Sequence, residues 1–351
     1  MNKAPLTFFM GSYTEFPVPG FGGIGQGIYS VQLHPETGTL ELLHATMTRN
    51  PSYLALSKDG RFLYAVNELD ESQGPKVVAY AVQDDFSLRF LNEQNVSGGY
   101  PCHLALVESQ LLVACYATGN VLQFPVTASG GLGPQKAEHA HKGSSVHKER
   151  QEGPHAHQVA LHPNQEDVYV CDLGLDMLKG YRLDQGTLVP NGAKDVVLSP
   201  GGGPRHMVFN ETGSLAYVLN ELSGNISLLE SEQGVFLEKE THLAVPKGFN
   251  GMPSASAIRI HPNQRFLYAA DRASGAIAIF KTKDSTLVLV GHQYTRGVEL
   301  REINLSPDGK WLIACHQNSH DTVVYEIGHD GTLEERFRTL GIFSPVCAVF
   351  L

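Results

Sequence analysis

The sequence is poor in features that would place it in several other classes of protein. It has one tryptophan, Trp311, and no Trp-Asp pair, so the repeats described below are not of the WD type. No stretch approaches the roughly 18 apolar residues of a membrane-spanning helix. The apolar run at residues 6–10 is shorter than the core of a secretory signal. We therefore expect no membrane partner and no secretion.

Cysteine is sparse as well. The five cysteines are odd in number, and no two have the Cys-x-x-Cys spacing of many zinc sites. Most lie in apolar stretches, as in Leu-Val-Ala-Cys115 and Val-Tyr-Val-Cys171. This pattern indicates free buried thiols in a reducing compartment. Together with the missing signal, it predicts a cytoplasmic location.

Positive charge is in deficit, with 26 Lys and Arg against 36 Asp and Glu and a formal net charge of −10. A general nucleic-acid binder needs a basic surface to neutralise phosphates, so we expect no nucleic-acid partner. A local basic pocket for a small anion remains compatible with this balance. The 42% hydrophobic content is enough for a sizeable core.

The chain does contain an internal repeat. Residues 50–68 and 203–221 each have a proline, an alternating apolar strand, a polar turn with glycine, a second apolar strand and then Asn-Glu. Further copies begin at Pro101, Pro154 and Ser256, and another includes residues 305–313. Alternating strands rich in β-branched and aromatic residues, separated by glycine turns, predict antiparallel β-structure and exclude a helical solenoid.

Seven copies of the repeat can be aligned on the residue that ends the second strand. These residues are Gly11, Asn67, Cys115, Asp172, Asn220, Asp271 and His316. Their spacing of 45 to 57 residues matches a four-stranded propeller blade. The sequence therefore predicts one all-β domain over residues 1–351, a seven-bladed β-propeller with four-stranded antiparallel blades.

The two ends of the chain are incomplete in complementary ways. Residues 6–11 supply a second strand without a first, and residues 343–350 supply a first strand without a second. Pairing of the N- and C-terminal strands would complete one blade and leave no open sheet edge. The least regular stretch, residues 127–151, is expected to be a long loop over one face.

Several motifs resemble those of the lactonase-type seven-bladed propellers. They are Asn-Pro-Ser-Tyr-Leu at 50–54, Pro-His-Ala-His at 154–157, Gly-Pro-Arg-His at 203–206 and Asn-Glu-Leu at 220–222. The resemblance covers essentially the whole chain. It implies a carboxylic ester hydrolase that opens an anionic sugar lactone, with 6-phosphogluconolactone of the pentose phosphate pathway as the expected substrate.

Two other functions stay open. One is a lactonase or cycloisomerase for another sugar acid or a muconate-type compound. The other is a non-catalytic propeller that binds a metabolite, which remains possible because Ala257 and Cys115 depart from residues typical of the family.

Polar residues beside the start of each first strand should collect on one face, around the central channel. They are Asn50, His103, His155, His157, Arg205, His206 and Arg301. Glu68, Glu221 and Arg272 follow second strands, and the resemblance implies that they reach the same region.

Lactone opening needs a base that takes a proton from water and donors that stabilise the oxyanion. Histidine suits the base, and His155 and His157 are both candidates. Glu221 would orient that histidine or act as base itself, while Arg205 would bind an oxyanion or a carboxylate. The resemblance implies such a His, Arg and Glu trio.

Other residues are expected to bind substrate. Arg150, Arg272 and Arg301 would hold a phosphate, because the planar guanidinium matches such groups. The remaining candidates are Glu152, His103, His206, Asn67 and Glu68.

A metal site is an alternative to these roles. On a regular strand, His155 and His157 would point to one face, and His139 and His141 lie in the long loop. The acidic ligands of a calcium-dependent propeller lactonase are not evident, so we expect no metal and no cofactor. We also expect a monomer or weak homodimer.

Overall fold

The computed structural model describes residues 4–18, 20–283, 285–339 and 341–351. These residues form seven antiparallel blades of four strands each, which confirms the predicted β-propeller. The first strand of every blade contacts the first strands of its two neighbours, so the blades form a closed ring. Residues 1–3, which belong to the predicted domain, lie outside the described part.

The strands are numbered along the chain, and blades 1 to 6 follow one another without interruption. Blade 1 contains β4 (Leu54–Leu56), β5 (Phe62–Val66), β6 (Lys76–Val82) and β7 (Leu88–Asn95). Blade 2 contains β8 (Pro101–Val107), β9 (Gln110–Cys115), β10 (Asn120–Pro125) and β11 (Ala137–Ala140). Blade 3 contains β12 (Ala156–Leu161), β13 (Asp167–Asp172), β14 (Met177–Asp184) and β15 (Thr187–Pro190), with β16 (Val196–Val197) paired to β14.

The second half of the ring has the same plan. Blade 4 contains β17 (Pro204–Phe209), β18 (Leu215–Asn220), β19 (Asn225–Glu232) and β20 (Val235–Leu243). Blade 5 contains β21 (Ala255–Ile260), β22 (Phe266–Asp271), β23 (Ala276–Lys283) and β24 (Thr286–Tyr294). Blade 6 contains β25 (Leu300–Leu305), β26 (Trp311–His316), β27 (Asp321–Ile327) and β28 (Leu333–Thr339).

The seventh sheet, here called the closing blade, joins the two ends of the chain. It contains β1 (Leu6–Ser12), β2 (Gly27–Leu33), β3 (Leu40–Met47) and β29 (Pro345–Phe350). β29 pairs with β1 from Phe8–Phe350 to Ser12–Pro345, as predicted. The last residue of the second strand is Ser12, so the alignment on Gly11 was wrong by one position.

The described helical residues are two short 3₁₀ turns, Glu71–Gln73 and Gly192–Lys194. No helix in this part of the chain has the length and hydropathy to cross a membrane.

The hydrophobic core is divided among the contacts between neighbouring blades. One cluster joins blades 5 and 6 through Tyr268, Ile277 and Leu312, and another joins the closing blade to blade 1 through Phe9 and Leu63. Strands such as β9 and β13 are buried on both faces, because each blade is covered on two sides. This explains why the central residues of both strands are continuously apolar.

The first strands share a distortion that decides where the site lies. In the antiparallel pairs, the start of each first strand faces the end of the second strand, as in Pro204–Asn220. In six of the seven blades a β-bulge follows at once, so that one residue has no partner opposite and its side chain is re-aimed. The equivalent positions, here called bulge positions, are Ser52, Cys102, His157, Arg205, Ser256, Arg301 and Val346.

A second ring of equivalent residues follows the second strands. Their backbone N–H groups donate to the residue preceding the first strand, as Glu221 does to Gly203. These post-strand positions are Tyr13, Glu68, Tyr116, Leu173, Glu221, Arg272 and Gln317. The expected proximity of Glu68, Glu221 and Arg272 to the strand starts is therefore confirmed.

The stretch 127–151 is only partly a loop, which corrects the expectation. Ala137–Ala140 forms β11, the outer strand of blade 2, and pairs with β10. Residues 141–151, here called the strap, then run towards blade 3, whose first strand begins at Ala156 and not at Pro154.

Candidate active site

A cavity of about 380 Å³ opens at one end of the central channel, where the bulge positions and the post-strand positions meet. This is within the roughly 300–1,000 Å³ of small-molecule sites. The residues lining it are Val18, Phe21, Glu68, Tyr100, Cys102, Tyr116, Arg150, His157, Glu221, Ser254, Arg272 and Arg301. Arg205 and His206 line a smaller cavity of about 10 Å³ that also touches Glu68, Cys102, His157 and Arg301.

Glu221 lies at the centre of the charged groups. Its Oε1 accepts a hydrogen bond from Nη2 of Arg150 at 2.7 Å. Its Oε2 lies 3.1 Å from Nε of Arg205 and 3.1 Å from Nη2 of Arg272. We call Arg150, Arg205, Arg272 and Arg301 the arginine cage.

The protonation of Glu221 follows from these contacts. Burial by itself would raise the pKa of this carboxyl group, but the charges of Arg272 and Arg205 outweigh burial and lower the pKa far below the ordinary value. Glu221 is therefore an anion at any pH near neutral, and it is a weak base. Its environment suits the stabilisation of a nearby cation better than proton abstraction.

His157 points into the cavity from a bulge position. Its Nε2 lies 4.0 Å from Oε2 of Glu221, and its Nδ1 lies 3.7 Å from Sγ of Cys102. Burial lowers the pKa of His157 well below the usual histidine value, and the charge of Arg205 lowers it further. The imidazole is thus neutral near pH 7 and able to accept a proton.

His155 is placed differently from His157, so the expectation that both rings share one face was wrong. His155 precedes the strand, and its Nδ1 donates to the carbonyl oxygen of Tyr116 at 2.9 Å. Its ring stacks on Tyr116 with centroids 4.5 Å apart. Its Nε2 is 3.3 Å from Oε1 of Glu152, whose side chain is largely exposed. Neither His155 nor Glu152 lines either cavity.

Arg205 is held rigidly between two blades. Its Nη1 donates to the carbonyl oxygen of Ser256. Burial, followed by the charge of Arg272, lowers the pKa of Arg205 to about 10, against the opposing effect of Glu221. The guanidinium remains a cation near pH 7, and the fixed orientation avoids reorganisation when a ligand binds.

Arg301 and Glu68 form a second charged group on the opposite side of the cavity. Tyr13 donates its hydroxyl hydrogen to Oε2 of Glu68 at 2.8 Å and accepts a bond from Nη2 of Arg301 at 2.6 Å. The guanidinium of Arg301 also lies over the rings of Tyr13 and Phe21, at 5.0 and 5.5 Å. Arg301 is thereby fixed against an aromatic wall.

His103 and His206 lie below the cavity and belong to the ring of residues that follows the bulge positions. The His103 ring packs on Tyr53 with centroids 4.0 Å apart, and His206 lies 5.5 Å from His157. Burial lowers the pKa of both His103 and His206 well below the usual value. They form a neutral aromatic floor. His103 was predicted to bind substrate, but it does not line the cavity.

Two further predicted positions, Asn67 and Asn50, have structural contacts instead. Asn67 donates to the carbonyl oxygen of Arg49 at 2.5 Å and does not line either cavity. Asn50 is fully buried and its Oδ1 accepts from the backbone of Thr14 at 2.8 Å. Cys115 and Ala257, which depart from residues typical of the family, are buried in the interblade core, so they do not alter the cavity wall.

Sequence reasoning missed several lining residues. Tyr116 occupies a post-strand position equivalent to Glu221, and Cys102 occupies a bulge position equivalent to Arg205. Tyr13, at another post-strand position, does not line the cavity but holds Glu68 and Arg301. A residue-by-residue alignment of the seven repeats would have found them. Phe21 belongs to the loop between β1 and β2, outside the repeat, and no repeat signal marks it.

No group of three or more His, Cys, Asp or Glu residues in the described part has the arrangement of a metal site. The absence of a cofactor remains a prediction. The side chains described above offer a proton acceptor, His157, and cationic donors, the arginine cage.

Comparison with known proteins gives one consistent picture. Residues 7–350 match the family described as "Lactonase, 7-bladed beta-propeller". A 6-phosphogluconolactonase of Bacillus subtilis is 34% identical over 98% of this chain and 97% of its own length.

Solved structures agree. A putative 6-phosphogluconolactonase of Bacteroides fragilis superposes with a TM-score of 0.92 at 30% identity, covering 99% of this chain and 98% of its own. A periplasmic gluconolactonase of Pseudomonas aeruginosa superposes with a TM-score of 0.88 at 26% identity, covering 99% of both chains.

Proposed function

The chain belongs to the lactonase family of seven-bladed β-propellers, and we propose that it hydrolyses 6-phosphogluconolactone to 6-phosphogluconate in the pentose phosphate pathway. The observation that carries this proposal is the arginine cage around a neutral histidine. Four guanidinium groups face three carboxylates, Glu68, Glu221 and Glu299, in a chain whose formal net charge is −10. This local positive excess supports an anionic substrate.

His157 is the proposed general base. A water molecule beside Nε2 would attack the lactone carbonyl carbon as its proton passes to the imidazole. The imidazolium that forms would be stabilised by Glu221, 4.0 Å away. A neutral histidine beside a fixed carboxylate therefore supplies both a proton acceptor and compensation for the charge it gains.

The arginine cage is the proposed oxyanion stabiliser. Attack places negative charge on the carbonyl oxygen, and the fixed guanidinium groups of Arg205 and Arg272 lie on the Glu221 side of the site. Preorganised donors of this kind contribute strongly to acyl transfer. The carbon–oxygen bond to the ring oxygen would then break, and that oxygen would take the proton held by His157, which returns the imidazole to its neutral form. The carboxylic acid formed would release its proton to water, and the product would leave as a carboxylate.

The direct test is loss of freshly prepared 6-phosphogluconolactone, compared with spontaneous hydrolysis in the same buffer. We expect a rate in excess of the uncatalysed one that is proportional to protein concentration. No excess rate would refute the proposed hydrolase function. A ligand-induced rise in melting temperature without turnover would instead favour the non-catalytic binding function.

We also propose a cytoplasmic location and a monomer or weak homodimer. The five cysteines are all free and buried in the structure, which suits a reducing compartment. Cell fractionation tests the first proposal, and sedimentation over a range of concentrations tests the second.

A further inference from the structure

Arg150 differs from the other members of the arginine cage in its exposure. Its side chain is 40% exposed, whereas the other three are 5 to 11% exposed. It comes from the strap, while the others come from the strand starts and ends of blades 4, 5 and 6. Arg150 therefore stands at the mouth of the cavity, and the buried guanidinium groups stand deeper.

The strap that carries Arg150 is anchored by buried polar contacts. His141 Nδ1 lies 2.5 Å from Oδ2 of Asp172, and both side chains are buried. Ser145 donates to Oδ2 of Asp176 at 2.5 Å. Gln151 is fully buried and donates to the carbonyl oxygen of Leu173 at 2.9 Å. These contacts fix the strap backbone on blade 3 before any ligand arrives, so little ordering entropy is lost on binding.

The guanidinium of Arg150 has unused hydrogen-bonding capacity. Its Nη2 contacts Tyr116 Oη at 3.1 Å and Glu221 Oε1 at 2.7 Å. Within the described ranges, neither its Nη1 nor its Nε has a hydrogen-bond partner. Arg272 is more fully used, since its Nε donates to the carbonyl oxygen of Ser254 and its two terminal nitrogens face Glu221 and Glu299.

We infer that Arg150 is the specificity-determining residue that distinguishes phosphorylated from unphosphorylated sugar lactones. A phosphate is strongly hydrated and doubly charged, so it is bound with the smallest desolvation cost at the partly exposed mouth. Two free guanidinium nitrogens there match the geometry of phosphate oxygens. The lactone carbonyl, at the other end of the same molecule, then faces His157 at the dry end of the cavity.

This inference rests on the proposed lactonase function, and the experiment separates the two. The wild-type protein, Arg150→Ala, Arg150→Lys and a matched control, Arg182→Ala, are assayed with 6-phosphogluconolactone and with glucono-δ-lactone. Arg182 is also a partly exposed arginine, but it pairs with Asp184 on the outer part of blade 3. Inhibition by inorganic phosphate is measured in parallel.

For Arg150→Ala we expect kcat/KM to fall about 10- to 100-fold more with the phosphorylated lactone than with the unphosphorylated one, as for loss of a charge-assisted hydrogen bond. The inhibition constant for phosphate should rise by a similar factor. Lysine keeps the charge without the planar fork, so Arg150→Lys should be intermediate, and Arg182→Ala should resemble wild type.

Equal losses with both lactones, or an unchanged phosphate inhibition constant, would overturn the inference while leaving the hydrolase intact. No excess rate with either lactone would refute the hydrolase itself. In that case phosphate binding to wild type and Arg150→Ala, measured by calorimetry, still decides whether Arg150 forms a phosphate site.

Discussion

Nε2 of His157 lies 4.0 Å from Oε2 of Glu221, too far for a direct hydrogen bond. The gap leaves the imidazole nitrogen open to a water molecule on the cavity side while keeping the carboxylate close enough to stabilise an imidazolium. Because Glu221 is already neutralised by arginines, it raises the proton affinity of His157 only in part. The pair is arranged for transient, not permanent, protonation of the ring.

The two histidines of the Pro-His-Ala-His motif should differ sharply when each is replaced by glutamine. His157→Gln should lower kcat by about 10²- to 10⁴-fold, the usual contribution of a general base. His155→Gln should lower it far less, because His155 lies behind Tyr116 and outside the cavity. Steady-state assays of both variants, with circular dichroism to verify folding, measure this difference. Similar losses in the two variants would show that the base has been assigned wrongly.

Glu221→Gln should have opposite effects on turnover and on anion binding. Removing the carboxylate leaves Arg150 and Arg205 without a carboxylate partner and Arg272 with Glu299 alone. We therefore expect kcat to fall while inorganic phosphate binds about tenfold more tightly. The free energy of unfolding should fall by about 3 kcal/mol, as when one partner of a buried ion pair is lost. Enzyme inhibition and urea unfolding test both effects, with the exposed Glu166→Gln as control. Weaker phosphate binding in Glu221→Gln would contradict the described electrostatics.

Stability should depend on pH through the three buried histidines around the channel. The pKa values of His103, His157 and His206 are lowered well below 6.5 in the fold, whereas in the unfolded chain they are near 6.5. Below pH 6.5 the unfolded state binds protons that the native state does not. Stability should therefore fall as the pH decreases from 6.5, by up to about 1.4 kcal/mol per pH unit for each histidine, and be insensitive to these groups above it.

Urea unfolding at pH 7.5, 6.5 and 5.5 measures this slope. His206→Gln should reduce the slope by the contribution of one histidine, up to about 1.4 kcal/mol per pH unit. Glutamine is suitable because blade 3 has Gln158 at the equivalent position. Unfolding free energies that do not change between pH 6.5 and 5.5 would show that the histidines are not neutral in the fold.

Removal of residues 345–351 should open the ring. This deletion removes β29, which pairs with β1 and packs on blade 1 through Cys347. The exposed strand edge should cause aggregation, measured as loss of the monomer peak in size-exclusion chromatography. Deletion of the exposed Leu351 alone is the control. A shortened protein with unchanged size and melting temperature would mean that the pairing of the ends does not hold the ring together.

The fold was accessible from the sequence because each blade repeats the same local pattern and the ends are complementary. Strand alternation and glycine turns act locally, so they are visible without knowledge of the tertiary contacts. The match between residues 50–68 and 203–221 therefore led directly to the blade.

The site was less accessible, because it depends on single-residue register. In blade 3 the proline stands three residues before the bulge position, whereas in blade 4 it stands one residue before. Alignment on the prolines therefore places His155 at the position of Arg205. The strand pairing instead shows that His157 is the residue equivalent to Arg205. The contacts of the strap and of Phe21 come from segments outside the repeat, and no local rule predicts them.

The β-bulges have a consequence for how such a protein changes over evolutionary time. A bulged residue has no partner across the ladder, so its side chain can be exchanged with little disturbance of the sheet. The seven blades here hold serine, cysteine, histidine, arginine and valine at this one place. The propeller thus keeps the same backbone while the side chains at the seven bulge positions vary. New specificities can arise by substitution at these positions without a change of architecture.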